Sequence, residues 1–146
     1  MNTKKRKGFT LIELLLVLVI LATLSAIIVP KFTNRSKDAK ITAAKTDIAN
    51  LEVALDSFEI DTGRYPTSNE GIRALVNEPS NVNENAWKGP YLKRGVPRDP
   101  WNNEYIYKYP GQYNQYGYDL FSFGPDMLQG TEDDIKNWTE DQYNRQ

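Results

Sequence analysis

The chain has 146 residues and a formal net charge of −1, with neither cysteine nor histidine. That composition excludes disulfides, thiol nucleophiles, Ser-His and Cys-His catalytic pairs, and zinc sites built on Cys or His, while leaving carboxylate chemistry open. The charge is split: residues 1–40 carry eight basic and two acidic side chains, residues 41–146 ten and seventeen. The basic end suits a membrane surface, and the acidic remainder argues against nucleic acid as a partner.

Four basic residues, Lys4, Lys5, Arg6 and Lys7, lead into Gly8. From Phe9 to Val29 every residue is apolar or small except Thr10, Glu13, Thr23 and Ser25. At about 1.5 Å per helical residue this run is long enough to cross a roughly 30 Å hydrocarbon layer. It is too long for the apolar core of a secretory signal, and no small-residue cleavage site ends it. Bases flank both ends (Lys31, Arg35, Lys37 and Lys40 on the far side), so charge gives only a slight preference for a cytoplasmic N-terminal tail. Glu13 is the costly residue. A charge at the bilayer centre costs about 2.5–3.5 kcal/mol, less near a helix end. It either snorkels to the interface or is paired.

Beyond Pro30, Ile41, Ala44, Ile48, Leu51, Leu55 and Phe58 recur three or four residues apart. That is one apolar stripe on a helix, with Lys, Asp and Glu on the other face. A proline inside a helix kinks it without always ending it, so Phe9 to about Thr62 reads as one long helix, stopped by Gly63 and Pro66. "TSNEGIRALVNEP" reads as a short helix capped by Ser68 or Asn69 and ended by Pro79. A Gly-, Pro- and Asn-rich stretch follows, with alternating strands at Glu104–Tyr109 and Tyr118–Phe123. Tyr105, Tyr107, Leu120 and the tryptophans are expected to cover the helical stripe, with Trp87 and Trp101 as packing residues rather than a ligand cage. The fold class is α+β: a long N-terminal helix on a small antiparallel sheet with a loop-rich C-terminal region.

"SFGPDMLQGTEDDI" places Asp126, Asp133 and Asp134 within nine residues, with Gly124 and Gly130 permitting tight turns. Calcium takes six to eight oxygens from carboxylates and carbonyls. The spacing is not that of an EF-hand, so from spacing alone a solvated acidic turn is the more common outcome.

"KGFTLIE" before an apolar stretch resembles the leader of type IV pilins and pseudopilins. "DIANLEVALDSFEIDTGRYPTSNEGIRALV", "GPYLKRGVPRDPWNNEYIY" and "DLFSFGPDMLQGTEDDIKNW" are similar to the major pseudopilins of type II secretion systems, from Gly8 to Trp138. The resemblance implies residues 1–8 as a prepilin leader, 9–30 as a membrane and assembly helix, and 31–146 as a periplasmic domain. It implies cleavage after Gly8 by a prepilin peptidase, methylation of the Phe9 amine by the same enzyme, and pairing of Glu13 with the Phe9 amine of a neighbouring subunit. It implies structural calcium in the C-terminal loop, held by Asp126, Asp133 and Asp134 and by the carbonyls of Phe123 and Leu128. The family usually has glycine where Met127 stands, which matters if that position needs positive φ.

The implied function is non-enzymatic. The chain would be a subunit of a periplasmic helical homopolymer that promotes export of folded proteins across the outer membrane. Its partners would be membrane lipid, minor pseudopilins and the inner-membrane secretion platform. A type IV pilin for adhesion, motility or DNA uptake shares everything before about residue 60. A membrane-anchored periplasmic enzyme using paired carboxylates would require a concave site instead of a metal turn.

Overall fold

The computed structural model describes residues 8–83 and 85–139, and for residues 26–34 the backbone only. Residues 1–7 of the expected leader (1–8), residue 84 and the C-terminal residues 140–146 therefore lie outside the described residues. The chain divides into two compact units, Met1–Asp38 and Ala39–Gln146.

One helix, α1, runs Leu11–Thr62, including position 30. This agrees with the long helix expected from the sequence. In the first unit its described apolar side chains are bare: Leu11 is 77% exposed, and Ile20, among the better covered, is still 48% exposed. Among the described residues no helix is long and apolar enough to cross a membrane. Described side chains stop at Ser25, five residues before the expected end of the span at Pro30.

The second unit is built on the helical stripe. Ala44, Ile48, Leu51, Leu55 and Phe58 are buried, and Ile41 packs at the margin. Burial of one such aliphatic side chain is worth roughly 1.5–3 kcal/mol. Three antiparallel strands supply the other half of the core: β1 (Ile106–Lys108), β2 (Asp119–Ser122) and β3 (Ile135–Lys136), in the order β1-β2-β3. The register pairs Tyr107 with Leu120 and Phe121 with Lys136. Tyr105, Tyr107, Tyr118, Leu120 and Ile135 close over the stripe, with Trp87 and Trp101 packed at its edge. The strands are shorter than the alternation suggested, and β3 is additional to it.

The short helix expected after Thr67 is a single 3-10 turn, Ile72–Leu75, and neither Ser68 nor Asn69 caps it. Its N-cap is Gly71 at φ 60°. Ser68 instead clamps β1: its hydroxyl receives the Tyr109 N–H at 2.8 Å and donates to the Tyr109 carbonyl at 2.9 Å. Thr67 and Glu70 close the preceding turn reciprocally, with Thr67 N–H on Glu70 Oε2 at 2.7 Å and Glu70 N–H on Thr67 Oγ1 at 3.3 Å.

Candidate functional site

Three places carry the chemistry. At the N-terminal end, Glu13 caps its own helix. Thr10 donates to Glu13 Oε2 from its N–H at 2.8 Å and from its hydroxyl at 2.9 Å, while Glu13 N–H reaches Thr10 Oγ1 at 3.3 Å. This is a capping box, and its signature, Thr-x-x-Glu ahead of an apolar run, was legible in the sequence. Among the described residues both bonds to the carboxylate fall on Oε2, which leaves Oε1 open to a second donor. Gly8 and Phe9 precede the helix, both exposed.

The second place is a pair of buried carboxylates that anchor the loops, and sequence reading missed their role. Asp99, of "RDPW", is 4% exposed. Its Oδ1 receives the N–H groups of Trp101 and Asn103 at 3.0 and 2.8 Å, and its Oδ2 receives the Ser122 hydroxyl at 2.6 Å. Asp119 is 1% exposed. It receives the N–H groups of Gln112, Tyr113 and Asn114, the shortest at 2.6 Å. Buried charge is tolerable only when hydrogen-bonded in this way. Asn137 extends the set, donating to Glu52 on α1 and receiving Leu120 N–H at 2.9 Å.

The third place is the C-terminal loop. A 3-10 turn, Gly124–Asp126, ends at Met127, which takes φ 60° and ψ 22°. The left-handed conformation that favours glycine is thus present, and a methionine occupies it. Gly124 (φ 68°) packs so close to the Asp133 carbonyl that a Cβ there would collide with it, which brings the two ends of the loop together. Asp126 Oδ1 receives Leu128 N–H at 2.9 Å, Asp133 Oδ2 receives Asp126 N–H at 3.3 Å, and Asp134 Oδ2 receives Gly130 N–H at 2.8 Å. The Thr131 hydroxyl, 2.7 Å from Asp133 Oδ1, is the largest influence holding that carboxyl below its ordinary range. Thr131 also lies 3.2 Å from the Leu128 carbonyl.

The fold therefore places Asp126, Asp133 and Asp134 in one loop with the carbonyls of Phe123 and Leu128. It does not gather them tightly. Among the described residues no three acidic side chains stand close enough to hold a metal ion. The reason is local, since each carboxylate is turned onto a loop N–H. One atom of the loop stands apart: Asp134 Oδ1 is buried and has no hydrogen-bond partner among the described residues. A buried unpaired carboxylate oxygen is costly, and a cation is one of the few groups that satisfies it. That oxygen suits a hard cation, although the three carboxylates are not gathered around one point.

Two family models match the chain in tandem. Residues 3–29 match the prokaryotic N-terminal methylation motif, and residues 31–138 match type II secretion system protein G. Among curated relatives, the type II secretion system core protein G of Escherichia coli K12 is 43% identical over 93% of this chain and 93% of its own length. The corresponding protein of Pseudomonas aeruginosa is 42% identical over 94% of this chain and 99% of its own. Among solved structures, the major pseudopilin of the type 2 secretion system of enterohaemorrhagic E. coli superposes with a TM-score of 0.63 at 39% identity. It covers 72% of this chain and 87% of that one.

Proposed function

This chain belongs to the type II secretion system protein G family, and on that premise we propose how its residues serve the filament. It is a structural protein, the major subunit of the type II secretion pseudopilus, and not an enzyme. The observation that carries this function is the pair of adjoining family matches, one over the N-terminal motif and one over nearly all that follows.

Processing follows from the first match. A prepilin peptidase cleaves after Gly8 and methylates the new Phe9 amine. Residues 9–30 then anchor the subunit in the inner membrane with the domain from residue 31 in the periplasm. Subunits polymerise through these helices, alongside minor pseudopilins and the inner-membrane platform. The bare apolar side chains from Phe9 to Leu24 support this reading, because they need lipid or one another.

Glu13 holds the register between subunits. The capping box fixes its carboxylate at the helix start, and Oε1 is left to accept a proton donor from the Phe9 amine of a neighbour. Glu13→Ala should insert well, losing a charge from lipid, yet yield few filaments. Mass spectrometry of the membrane fraction should find Phe9 as a methylated first residue. Retention of Met1 on assembled protein, or normal filaments from Glu13→Ala, rules out this account. Deleting the gene should block export of folded proteins while leaving surface pili intact; the opposite pattern would mark a type IV pilin.

The C-terminal loop holds calcium. Asp126, Asp133 and Asp134 supply carboxylate oxygens, with the carbonyls of Phe123 and Leu128, and the buried Asp134 Oδ1 is the support for this assignment. When bound, the ion supplies charge compensation and ties the loop's two ends. The chain has no cysteine to close the region by a disulfide.

A further inference from the structure

The outer edge of β1 opens onto a groove of about 400 Å³, lined by Asn69 to Arg73, Val96 to Arg98 and Glu104 to Tyr107. The direction of the edge's hydrogen-bonding groups follows from β2. Leu120 gives its carbonyl to Asn137 N–H at 3.0 Å and its N–H to Asn137 Oδ1 at 2.9 Å, both on the β3 side. Opposed residues of an antiparallel pair either exchange both main-chain bonds or neither. Tyr107, opposite Leu120, therefore turns its N–H and C=O away from β2, into the groove. Neither group has a hydrogen bond among the described residues. The edge is closed on both sides of it: Ser68 holds both main-chain groups of Tyr109, and Arg98 bridges Glu104.

The charges lining this gap are nearly all matched. Glu70 is held by Arg64 through two bonds of 2.7 and 2.8 Å, and Glu104 lies 3.7 Å from Arg73. Arg98 is exposed and spends one nitrogen on the Asn102 carbonyl at 3.0 Å. Its guanidinium is the groove's one cation without a carboxylate among the described residues.

We propose that this groove binds an extended acidic peptide segment from a partner protein, which adds a short strand at Tyr107 and sets a carboxylate on Arg98. An unpaired strand edge selects extended backbone over helix, and main-chain bonds supply affinity while side-chain contacts supply specificity. The clamped stretch from Tyr105 to Tyr109 spans about 13 Å at 3.3 Å per residue, so the occupant docks three or four residues. Arg98 selects an acidic side chain because a guanidinium and a carboxylate match in geometry as well as charge.

The test uses the full chain in detergent micelles, labelled with ¹⁵N, and the capped peptide acetyl-Val-Thr-Asp-Val-amide. A saturable shift and slowed exchange of the Tyr107 amide are expected. The Lys-for-Asp peptide should bind at least about tenfold more weakly, and Arg98→Glu should reverse that preference. N-methylation of the peptide backbone should abolish the effect. An unmoved Tyr107 amide in folded protein overturns the proposal, as does an equal response to the Asp and Lys peptides. Protection of Tyr107 that rises with protein concentration alone overturns it in favour of pairing between copies.

Discussion

Met127 is the residue where this chain departs from what its backbone asks for. Its φ of 60° suits glycine, and its side chain is 52% exposed, so little packing compensates. A non-glycine residue in the left-handed region costs about 1–2 kcal/mol, and glycine returns part of that as unfolded-chain entropy. Met127→Gly is therefore expected to raise stability by up to about 1 kcal/mol, while Met127→Ala keeps the strain and leaves stability nearly unchanged. Paired thermal melts of the two variants measure the difference. Asp119 stands at the other extreme, a fully buried charge with three main-chain donors. Hydrogen bonds to charged groups are worth about 1.5–3 kcal/mol each, and orphaned donors add their own cost. Asp119→Ala should lose at least about 3 kcal/mol and speed amide exchange at Gln112 to Asn114 first, visible by hydrogen-exchange mass spectrometry.

Among the elements, the turn between α1 and the 3-10 segment is held by Arg64 and Glu70. The Arg64 guanidinium pulls the Glu70 carboxyl down to about 2, helped by the Thr67 N–H and hydroxyl. A carboxyl held lower in the folded chain than in the unfolded one binds protons more readily when unfolded. Its stabilising effect is complete above the ordinary value of 4.5 and disappears as pH falls from there toward about 2. Removing the carboxylate should therefore flatten the acid limb of stability. Glu70→Gln is expected to be less stable than the parent at pH 7 and to match it at about pH 2, in denaturant titrations at both values. α1 itself is fastened to the rest of its unit by acids on its flank. Asp47 accepts from the Tyr105 hydroxyl at 3.0 Å, Asp56 from Tyr65 at 3.2 Å and Asp61 from Tyr91 at 2.9 Å. These charges fall on the face that helical periodicity leaves polar, and they are cross-links to the domain as well as solvated surface.

Calcium in the C-terminal loop, proposed above, would act on the stability of the whole molecule. A ligand that binds only the folded chain stabilises it by about 2.7 kcal/mol at a hundredfold excess over Kd. Chelation should lower the melting temperature and open residues 119–138 to protease. Asp134→Ala should melt like the chelated parent and show no calcium response. Magnesium should protect less, because it demands a strict octahedral shell and keeps its waters. Identical melting curves with calcium and with chelator would leave the loop as an acidic turn and remove the ion from the account.

Periodicity and residue chemistry determined a good part of this protein from sequence alone. The stripe from Ile41 to Phe58 specified a helix and its buried face, because a spacing of three and four residues has one solution in a helix. The motif around Gly8, Phe9 and Glu13 and the loop from Phe123 to Asp134 specified the family. Tertiary structure decided the rest. Ser68 looked like a helix cap and became a clamp on Tyr109, 41 residues away, since a side-chain hydroxyl serves any backbone within reach. β3 has only two residues, too few for alternation to register, and exists because Ser122 and Phe121 offer it a partner. Asp99, in the Gly- and Pro-rich stretch, and Asp119, in an expected strand, stood out in no way until packing withdrew them from water and turned local N–H groups onto them. Pattern reveals which face of an element is buried. Which donor meets which acceptor across the fold is settled only when the chain closes on itself.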